Sequence, residues 1–385
     1  MIDSVQDFAQ VTDDSYSAYD SVTRWKQKEG RPAVGYFPVY FPQEIAHALG
    51  YLPVGLLGAS GRVGLDMATA HTQSFVCSIS RSVFQLGLQG NLDMMDVLVF
   101  SNICDVARNL SGITQRNRPG RSVEYLHYPI NNSSAHAVKY LREEYARLAR
   151  RMAEVAGTPA LSTENLRTSV ELFNQKRALQ LRLVHLRQES PWLIPYTEFY
   201  SVLRAGSILP VERYVERLEG YVREQEARSS RPKDGVRVLV LGNFCEQPPI
   251  QLMKAIEEAG CFIVQDEALV GERWLGHLDT DKSEDLLSTI AQGYVQNLDP
   301  MTVRFHPSVN KQEDLMRRVR ELRLEGVIFA TPKFCEPALY DYMIGKPALD
   351  KAAIPYLHIE YEESMSSFEN ARTMVETFTE SILFD

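Results

Sequence analysis

The fold is indicated by a short pattern, GVIFATPKFCEP at residues 326–337, whose order of strand and polar loop recurs along the chain. An apolar run of strand length ends there in a polar loop that contains a cysteine. The run VLVFS at 97–101 leads in the same way into NICD, and VRVLVL at 236–241 leads into GNFCEQPP. Short apolar runs that alternate with helical stretches are typical of βαβ units around a parallel sheet.

Further strands and helices extend this pattern in both directions. Helical stretches are predicted at residues 44–49, 251–259 and 313–325, and a last helix at 363–384. Amphipathic spacing in the middle of the chain predicts long helices there. Additional strands are predicted at 33–40, 52–57, 123–128, 261–264 and 356–359.

The sequence therefore predicts an α/β protein with two Rossmann-like, flavodoxin-like lobes, each built on a parallel sheet. We expect the first lobe at residues 1–135 and the second at 231–385, joined by a helical segment at 136–230. The polar stretch SSRPKDG at 229–235 is typical of a linker. A chain of 385 residues is too long for one compact core and favours two or three lobes.

Composition narrows the class of protein. Hydrophobic residues make up 44% and charged residues 24%, which is ordinary for a globular chain. The net charge of −9 makes nucleic acid and anionic membranes poor partners. No apolar run approaches the roughly 20 residues that span a bilayer, and the acidic start MIDSVQDFAQ predicts no signal peptide and a cytoplasmic location. The arginines between Arg108 and Arg121 form either a patch for a phosphate-bearing ligand or a solvated loop.

The five cysteines include no CxxC pair, and their odd number and the predicted compartment argue against a disulfide framework. Ligands of parallel sheets bind beyond the carboxyl ends of the strands, and Cys104, Cys245 and Cys335 are predicted at such ends. Cys77 is predicted at the start of a helix, where a thiolate would be stabilised. Cys261 opens a strand at the opposite edge and is predicted to be a buried core thiol. For the other four, a metal site and buried thiols both remain open.

The remaining motifs give few signals. No GxxxxGK[ST] sequence occurs, so the chain is not expected to hydrolyse ATP. Gly58, Gly61 and Gly64 are expected to form a flexible loop. Glu44 and His47 lie one turn apart on a predicted helix and are either an acid/base pair near a substrate or a surface carboxylate beside a partly buried histidine.

Five segments of the chain resemble the 2-hydroxyacyl-CoA dehydratase / benzoyl-CoA reductase family. They follow the family's order and run over nearly the whole chain. The Cys245 motif and the sequence FCEP at 334–337 are most similar to the smaller catalytic subunits (C, or gamma) of ATP-dependent benzoyl-CoA reductases. The five segments are FPVYFPQEI (37–45), QSFVC (73–77), SNICD (101–105), GNFCEQPP (242–249) and GVIFATPKFCEP (326–337).

This resemblance implies a ligand set and partners. Three cysteines of each such catalytic subunit hold one [4Fe–4S] cluster, and the matching positions are Cys77, Cys104 and Cys335. Cys245 would then lie next to the ligands or be structural. The implied partners are a larger homologous catalytic subunit and ATP-binding iron–sulfur activator subunits, with ferredoxin as the electron donor and an acyl-CoA as the substrate. ATP would be hydrolysed by the activator, which agrees with the missing P-loop.

The resemblance also implies a reaction, the low-potential one-electron reduction of benzoyl-CoA to cyclohexa-1,5-diene-1-carbonyl-CoA. Glu44 and His47 are candidates for the acid that protonates the ring. Three alternatives remain open at this point. The chain could belong to a 2-hydroxyacyl-CoA dehydratase that uses ketyl radical chemistry, it could relay electrons without a substrate site of its own, or the three cysteines could bind zinc.

Overall fold

The computed structural model describes residues 4–242, 245, 247–267, 276–281, 284–296, 307 and 310–384, with side chains from residue 6 onward. Asn243, Phe244 and Glu246 of the predicted Cys245 motif lie outside this set. No helix within these ranges is long and apolar enough to cross a membrane.

The first half of the chain is built around one four-stranded sheet. Its strands are β1 (Ala33–Tyr36), β2 (Leu52–Gly55), β3 (Val97–Ser101) and β4 (Ser122–Leu126). The helices before and between them are α1 (Ser4–Asp14), α2 (Asp20–Glu29), α3 (Gln43–Ala48), α4 (Asp66–Thr69), α5 (Ser78–Leu88) and α6 (Asp105–Asn117).

The rest of the chain contains four successive helices and then a second four-stranded sheet. The four helices are α7 (Ala137–Ala156), α8 (Thr163–Glu189), α9 (Tyr196–Ala205) and α10 (Val211–Ala227). The second sheet is formed by β5 (Val236–Leu241), β6 (Cys261–Asp266), β7 (Gly326–Pro332) and β8 (Tyr356–Tyr361). The helices in this part of the chain are α11 (Ile250–Glu258), α12 (Leu286–Gln296), α13 (Lys311–Glu321), α14 (Glu336–Ala352) and α15 (Glu369–Phe384). Among them, α12 packs against α7 and belongs to the core of the first sheet.

Both sheets are entirely parallel and share one strand order. The first runs β2-β1-β3-β4 and the second β6-β5-β7-β8. In each sheet the second strand lies on one side of the first strand, and the third and fourth strands lie on the other side. This is the flavodoxin-like order, in which the switch point lies beside the first strand. The predicted α/β class with two parallel-sheet lobes is confirmed. The limits of the lobes at residues 135 and 230 stay predictions.

Two predicted boundaries are wrong for identifiable reasons. The strand predicted at 33–40 ends at Tyr36, because Pro38 has no N–H to give to a ladder. The residues beyond it stay buried, and Phe41 stacks on Tyr36 with 4.7 Å between ring centroids. The last helix begins at Glu369 rather than at residue 363, because Glu363 is buried in the loop after β8 and is held there by hydrogen bonds.

Candidate metal centre

The three cysteines of the predicted ligand set occupy equivalent local positions. Cys104 and Cys335 follow the carboxyl ends of β3 and β7, and each is the residue immediately before a helix, α6 and α14. Cys77 holds the same position before α5. Because backbone N–H groups at a helix N-terminus are unpaired and point outward, this position favours a negatively charged ligand.

The surroundings of the thiols fit metal ligation. Sγ of Cys104 accepts a hydrogen bond from the N–H of Ala107 at 3.4 Å, and Sγ of Cys77 lies 3.1 Å from Oγ of Ser80. Burial raises the pKa of the Cys104 thiol, although the N–H groups of Ala107 and Val106 act in the opposite direction. A thiolate in these surroundings therefore needs a nearby positive charge, which iron would supply.

A closed series of contacts, called here the ring of contacts, links the elements that bear the three cysteines. Helix α5, which follows Cys77, packs against α6, which follows Cys104. The carboxylate of Glu336, the residue after Cys335, acts electrostatically on Cys104. The N–H of Glu363 donates to Oγ of Ser78 at 3.3 Å, and the loop that leads to Cys335 is bonded to the same end of β8. These contacts link the helices and loops that bear the three residues, although the elements come from both sheets.

The donor set bears on which metal group the three cysteines could hold. Among the residues that the structure describes, no three His, Cys, Asp or Glu side chains lie close enough to share one metal ion. Three thiolates with no histidine or carboxylate among them are the donors that [4Fe–4S] clusters take.

The other two cysteines have different surroundings. Cys245 is buried in the same core cluster as Cys77, and its Sγ lies 3.7 Å from the carbonyl oxygen of Pro38. Cys261 is 1% exposed, and its Sγ lies 3.3 Å from Oγ1 of Thr379. Burial raises the pKa of Cys261 to about 11. Cys261 is therefore a neutral core thiol at the amino edge of the second sheet.

Backbone strain occurs directly beside one candidate ligand. Phe334 has a φ of 66°, in the left-handed region that residues with a side chain rarely adopt, and it precedes Cys335. The N–H of Lys333 is bonded to the carbonyl oxygen of Tyr361 at 2.8 Å, which fixes the turn from the other side. A conformation that costs about 1–3 kcal/mol is typical of sites where the position of a side chain matters for function.

Glu44 and His47, the predicted acid/base pair, face different surroundings. Glu44 is fully buried and forms an ion pair with Arg177 of α8. Nδ1 of His47 lies 2.9 Å from Oγ of Ser169, and its Nε2 lies 3.0 Å from Oε1 of Glu212. The hydrogen bond from His47 lowers the pKa of Glu212 to about 2. Catalytic roles for Glu44 and His47 stay predictions.

Lys176 is a buried cation that sequence reasoning missed. Its Nζ donates to the carbonyl oxygen of Gly206 at 2.5 Å and to Oε1 of Gln43 at 3.2 Å. Burial lowers the pKa of Lys176 to about 7, although the nearby carboxylate of Glu44 raises it. In the sequence this lysine looks like one more polar residue of a solvated helix.

The lowered pKa of Lys176 predicts a pH-dependent stability. The folded chain releases this proton near pH 7, whereas an unfolded lysine keeps it to about pH 10.4. Between these values the unfolded state binds more protons, so the free energy of unfolding rises with pH by up to about 1.4 kcal/mol per unit. We expect urea unfolding of the wild type, relative to Lys176→Met, to shift to higher urea between about pH 7.5 and about pH 9. An unchanged difference between the two proteins would contradict this.

The arginines between Arg108 and Arg121 are largely engaged by acidic groups of the chain. Arg118 and Arg121 both pair with Asp93, and Arg108 pairs with Asp105. The contacts of Arg118 and Arg121 stabilise the turn before β4, whereas the Arg108 pair lies within the first turn of α6. Together they favour the interpretation as a structural segment over a phosphate patch.

Comparison with known proteins places the chain in a family. A family model described as 2-hydroxyglutaryl-CoA dehydratase, D-component, matches residues 38–382. The chain is 32% identical to the C component of benzoyl-CoA reductase from Thauera aromatica over 369 residues, which cover 94% of each protein. It is 27% identical to the (R)-2-hydroxyglutaryl-CoA dehydratase subunit beta of Acidaminococcus fermentans, covering 92% of this chain and 93% of that one.

A third relative extends the same picture. The chain is 25% identical to the lactoyl-CoA dehydratase subunit beta of Anaerotignum propionicum over 374 residues, which cover 97% of this chain and 98% of that one. All three relatives are named as subunits of larger enzymes, and all three match along nearly their whole length. The chain therefore belongs to the family described as 2-hydroxyglutaryl-CoA dehydratase, D-component, which includes subunits of benzoyl-CoA reductase and of 2-hydroxyacyl-CoA dehydratases.

Proposed function

We propose that this chain binds one [4Fe–4S] cluster through Cys77, Cys104 and Cys335 and is a catalytic-core subunit of an ATP-dependent benzoyl-CoA reductase. The observation that carries this proposal is the ring of contacts that joins the elements bearing the three cysteines. Each thiol lies at a helix N-terminus, and two of them follow strands of different sheets. A site that gathers ligands from both sheets would be oriented by the packing of the whole chain.

The reductase branch is supported by the pattern of similarity. Identity to the benzoyl-CoA reductase subunit is 32%, against 27% and 25% for the two dehydratase subunits, over comparable lengths. A dehydratase subunit is the second candidate, and the family description favours it. Both candidates use a thioester carbonyl to delocalise an added electron, so the same site would serve either reaction.

The bound cluster would supply single electrons of low potential. The chain's own contribution is to bind it and to keep water away from it. Three tyrosines near the end of β1 pack against one another, with ring centroids of Tyr128 and Tyr294 4.3 Å apart and those of Tyr40 and Tyr294 5.0 Å apart. Packed aromatic side chains of this kind would help to exclude water from a cluster bound beside them.

The proposed partners follow from the same chemistry. Reduction of benzoyl-CoA to the cyclic diene takes two electrons and two protons, and this chain has no P-loop with which to use ATP. We propose that ATP-binding iron–sulfur activator subunits, reduced by ferredoxin, deliver the electrons. Phe75 and Phe334, which lie just before Cys77 and Cys335, are exposed apolar side chains, and a larger homologous subunit that covered them would close the site.

The function is tested with the anaerobically purified complex. We expect benzoyl-CoA to be converted to the diene with ATP hydrolysed in step with each electron pair, and we expect a Cys335→Ala complex to have less than about a hundredth of that rate. A Cys261→Ala complex is the matched control and should keep the activity. If the complex instead converted a 2-hydroxyacyl-CoA and needed ATP only to start the reaction, the chain would be a subunit of a dehydratase.

Two further results would overturn parts of the proposal. A colourless protein with one zinc per chain and no iron would contradict the cluster. A structure of the complex in which the thioester lies only beside the cluster of the larger subunit would reduce this chain to an electron relay.

A further inference from the structure

We propose that Glu363 is a positioning residue that fixes the helix beginning after Cys77 relative to the loop that bears Cys335. This inference rests on the proposed function, because it concerns the spacing of two of the proposed cluster ligands. Glu363 lies in the loop after β8 and is 6% exposed. Its own sequence position, far from Cys77, gives no hint of this role.

The carboxylate of Glu363 is bound from the first half of the chain. The N–H of Ala59 donates to Oε2 of Glu363 at 3.3 Å, and the N–H of Ser60 and the hydroxyl of Ser82 are further hydrogen-bond partners. Ser82 belongs to α5, the helix that follows Cys77. The carboxylate thus connects the loop after β2 to α5.

The backbone of Glu363 makes the connection to the candidate ligand more direct. Its N–H donates at 3.3 Å to Oγ of Ser78, the residue immediately after Cys77. The two residues before Glu363 hold the other ligand loop: Tyr361 accepts the N–H of Lys333 at 2.8 Å, and Glu362 pairs with Nζ of Lys333 at 2.9 Å. Lys333 is two residues before Cys335, so the segment 361–363 bridges the two cysteine-bearing elements.

The glycine-rich loop is shaped to accept Glu363. Gly58 and Gly61 both have a positive φ, and a Cβ on either would collide with Glu363. Two hydrogen bonds from Arg204, to the carbonyl oxygens of Leu57 and Gly58, hold the loop from its other side. The sequence predicts a flexible loop here, and the structure instead shows one that is clamped between a buried arginine and a buried carboxyl group.

The carboxyl group of Glu363 is bound by hydrogen bonds from Ala59, Ser60 and Ser82. Burial raises the pKa of Glu363, although Ser82 and Arg204 act in the opposite direction. A glutamine of the same shape can accept from Ala59 and donate to Ser82, so Glu363→Gln should keep the position of α5. Glu363→Ala removes the hydrogen bonds of the carboxyl group, whereas the backbone N–H of Glu363 and the pair between Glu362 and Lys333 stay in place.

The test measures whether the thiols of Cys77 and Cys335 stay within reach of each other. The full chain, stripped of iron with a chelator, is treated with dibromobimane, which joins two neighbouring thiols, and the Cys77–Cys335 product is quantified by peptide mapping. Loss of the hydrogen bonds of the Glu363 carboxyl group is expected to reduce this product about five- to thirtyfold in Glu363→Ala, with Glu363→Gln close to the wild type. Ser78→Ala, which removes the acceptor of the Glu363 N–H, should lower the product in the same direction and serves if Glu363→Ala does not fold.

A matched control separates positioning from a general loss of stability. Glu257 is a partly buried carboxylate beside a different core cluster from that of Cys77, bonded to the N–H of Tyr196, and Glu257→Ala should leave the cross-link unchanged. An unchanged yield in Glu363→Ala, or an equal fall in Glu257→Ala, would overturn the inference. If the wild type gave the cross-link but never bound iron, the proposed function would be contradicted, whereas the role of Glu363 would not.

Discussion

Replacing Arg177 with methionine is expected to lower the free energy of unfolding by about 3–5 kcal/mol. Arg177 and Glu44 are 4% and 0% exposed, and their side chains form an ion pair between α8 and α3. Removal of the guanidinium leaves a carboxylate in the core without its partner, and burial of an unpaired charge is among the most costly changes a fold can suffer. Arg177 also donates to Oδ1 of Asn174 at 2.7 Å, so a second group loses a bond.

The measurement is equilibrium urea unfolding of the wild type, Arg177→Met and the double variant Glu44→Gln/Arg177→Met. Since the double variant removes both charges, it should recover more than half of the loss. A single variant within about 1 kcal/mol of the wild type would show that the pair does not hold the two helices together. The Glu44→Gln variant alone also separates roles, because a catalytic carboxylic acid would lose turnover even where the fold is kept.

The two sheets could be predicted because parallel strands are covered on both faces. Such strands are continuous apolar runs, as at Val97–Ser101 and Val236–Leu241, and their signal is local. The positions of Cys104 and Cys335 followed, since residues after parallel strands gather at one edge. The grouping of Cys77 with them is a proposal that rests on family resemblance, because Cys77 follows a short helix and a turn rather than a strand.

The buried charges could not be predicted, because their partners are far away in the sequence. Glu363 contacts Ala59 across 304 positions, and Arg177 contacts Glu44 across 133. A local pattern assigns Lys176 and Arg177 to the solvated face of a long helix, as most such residues are. Only the packing of α3 onto α8 shows that this face is inside.

Replacement of any one of Cys77, Cys104 and Cys335 with alanine is expected to abolish the cluster. Each proposed thiolate binds one iron, and a cluster left with two protein ligands has two irons open to water and oxygen. We expect iron and sulfide to fall from about four of each per chain in the wild type to less than about one in each variant. Activity of the assembled complex should fall with them.

The two remaining cysteines supply the controls for that experiment. Cys261→Ala removes a thiol that contacts only the core around Thr379 and should keep full iron content. Cys245→Ala should also keep iron, because Cys245 is proposed to lie beside the ligands without binding one. If Cys245→Ala lost its iron and Cys77→Ala kept it, Cys245 rather than Cys77 would be the third ligand of the cluster.

Iron-edge anomalous diffraction from crystals of the anaerobically purified protein tests the cluster site most directly. The account predicts one compact peak of four irons in contact with Sγ of Cys77, Cys104 and Cys335, and no iron at Cys261. An iron-loaded crystal whose anomalous peak lies away from these three sulfur atoms would contradict it.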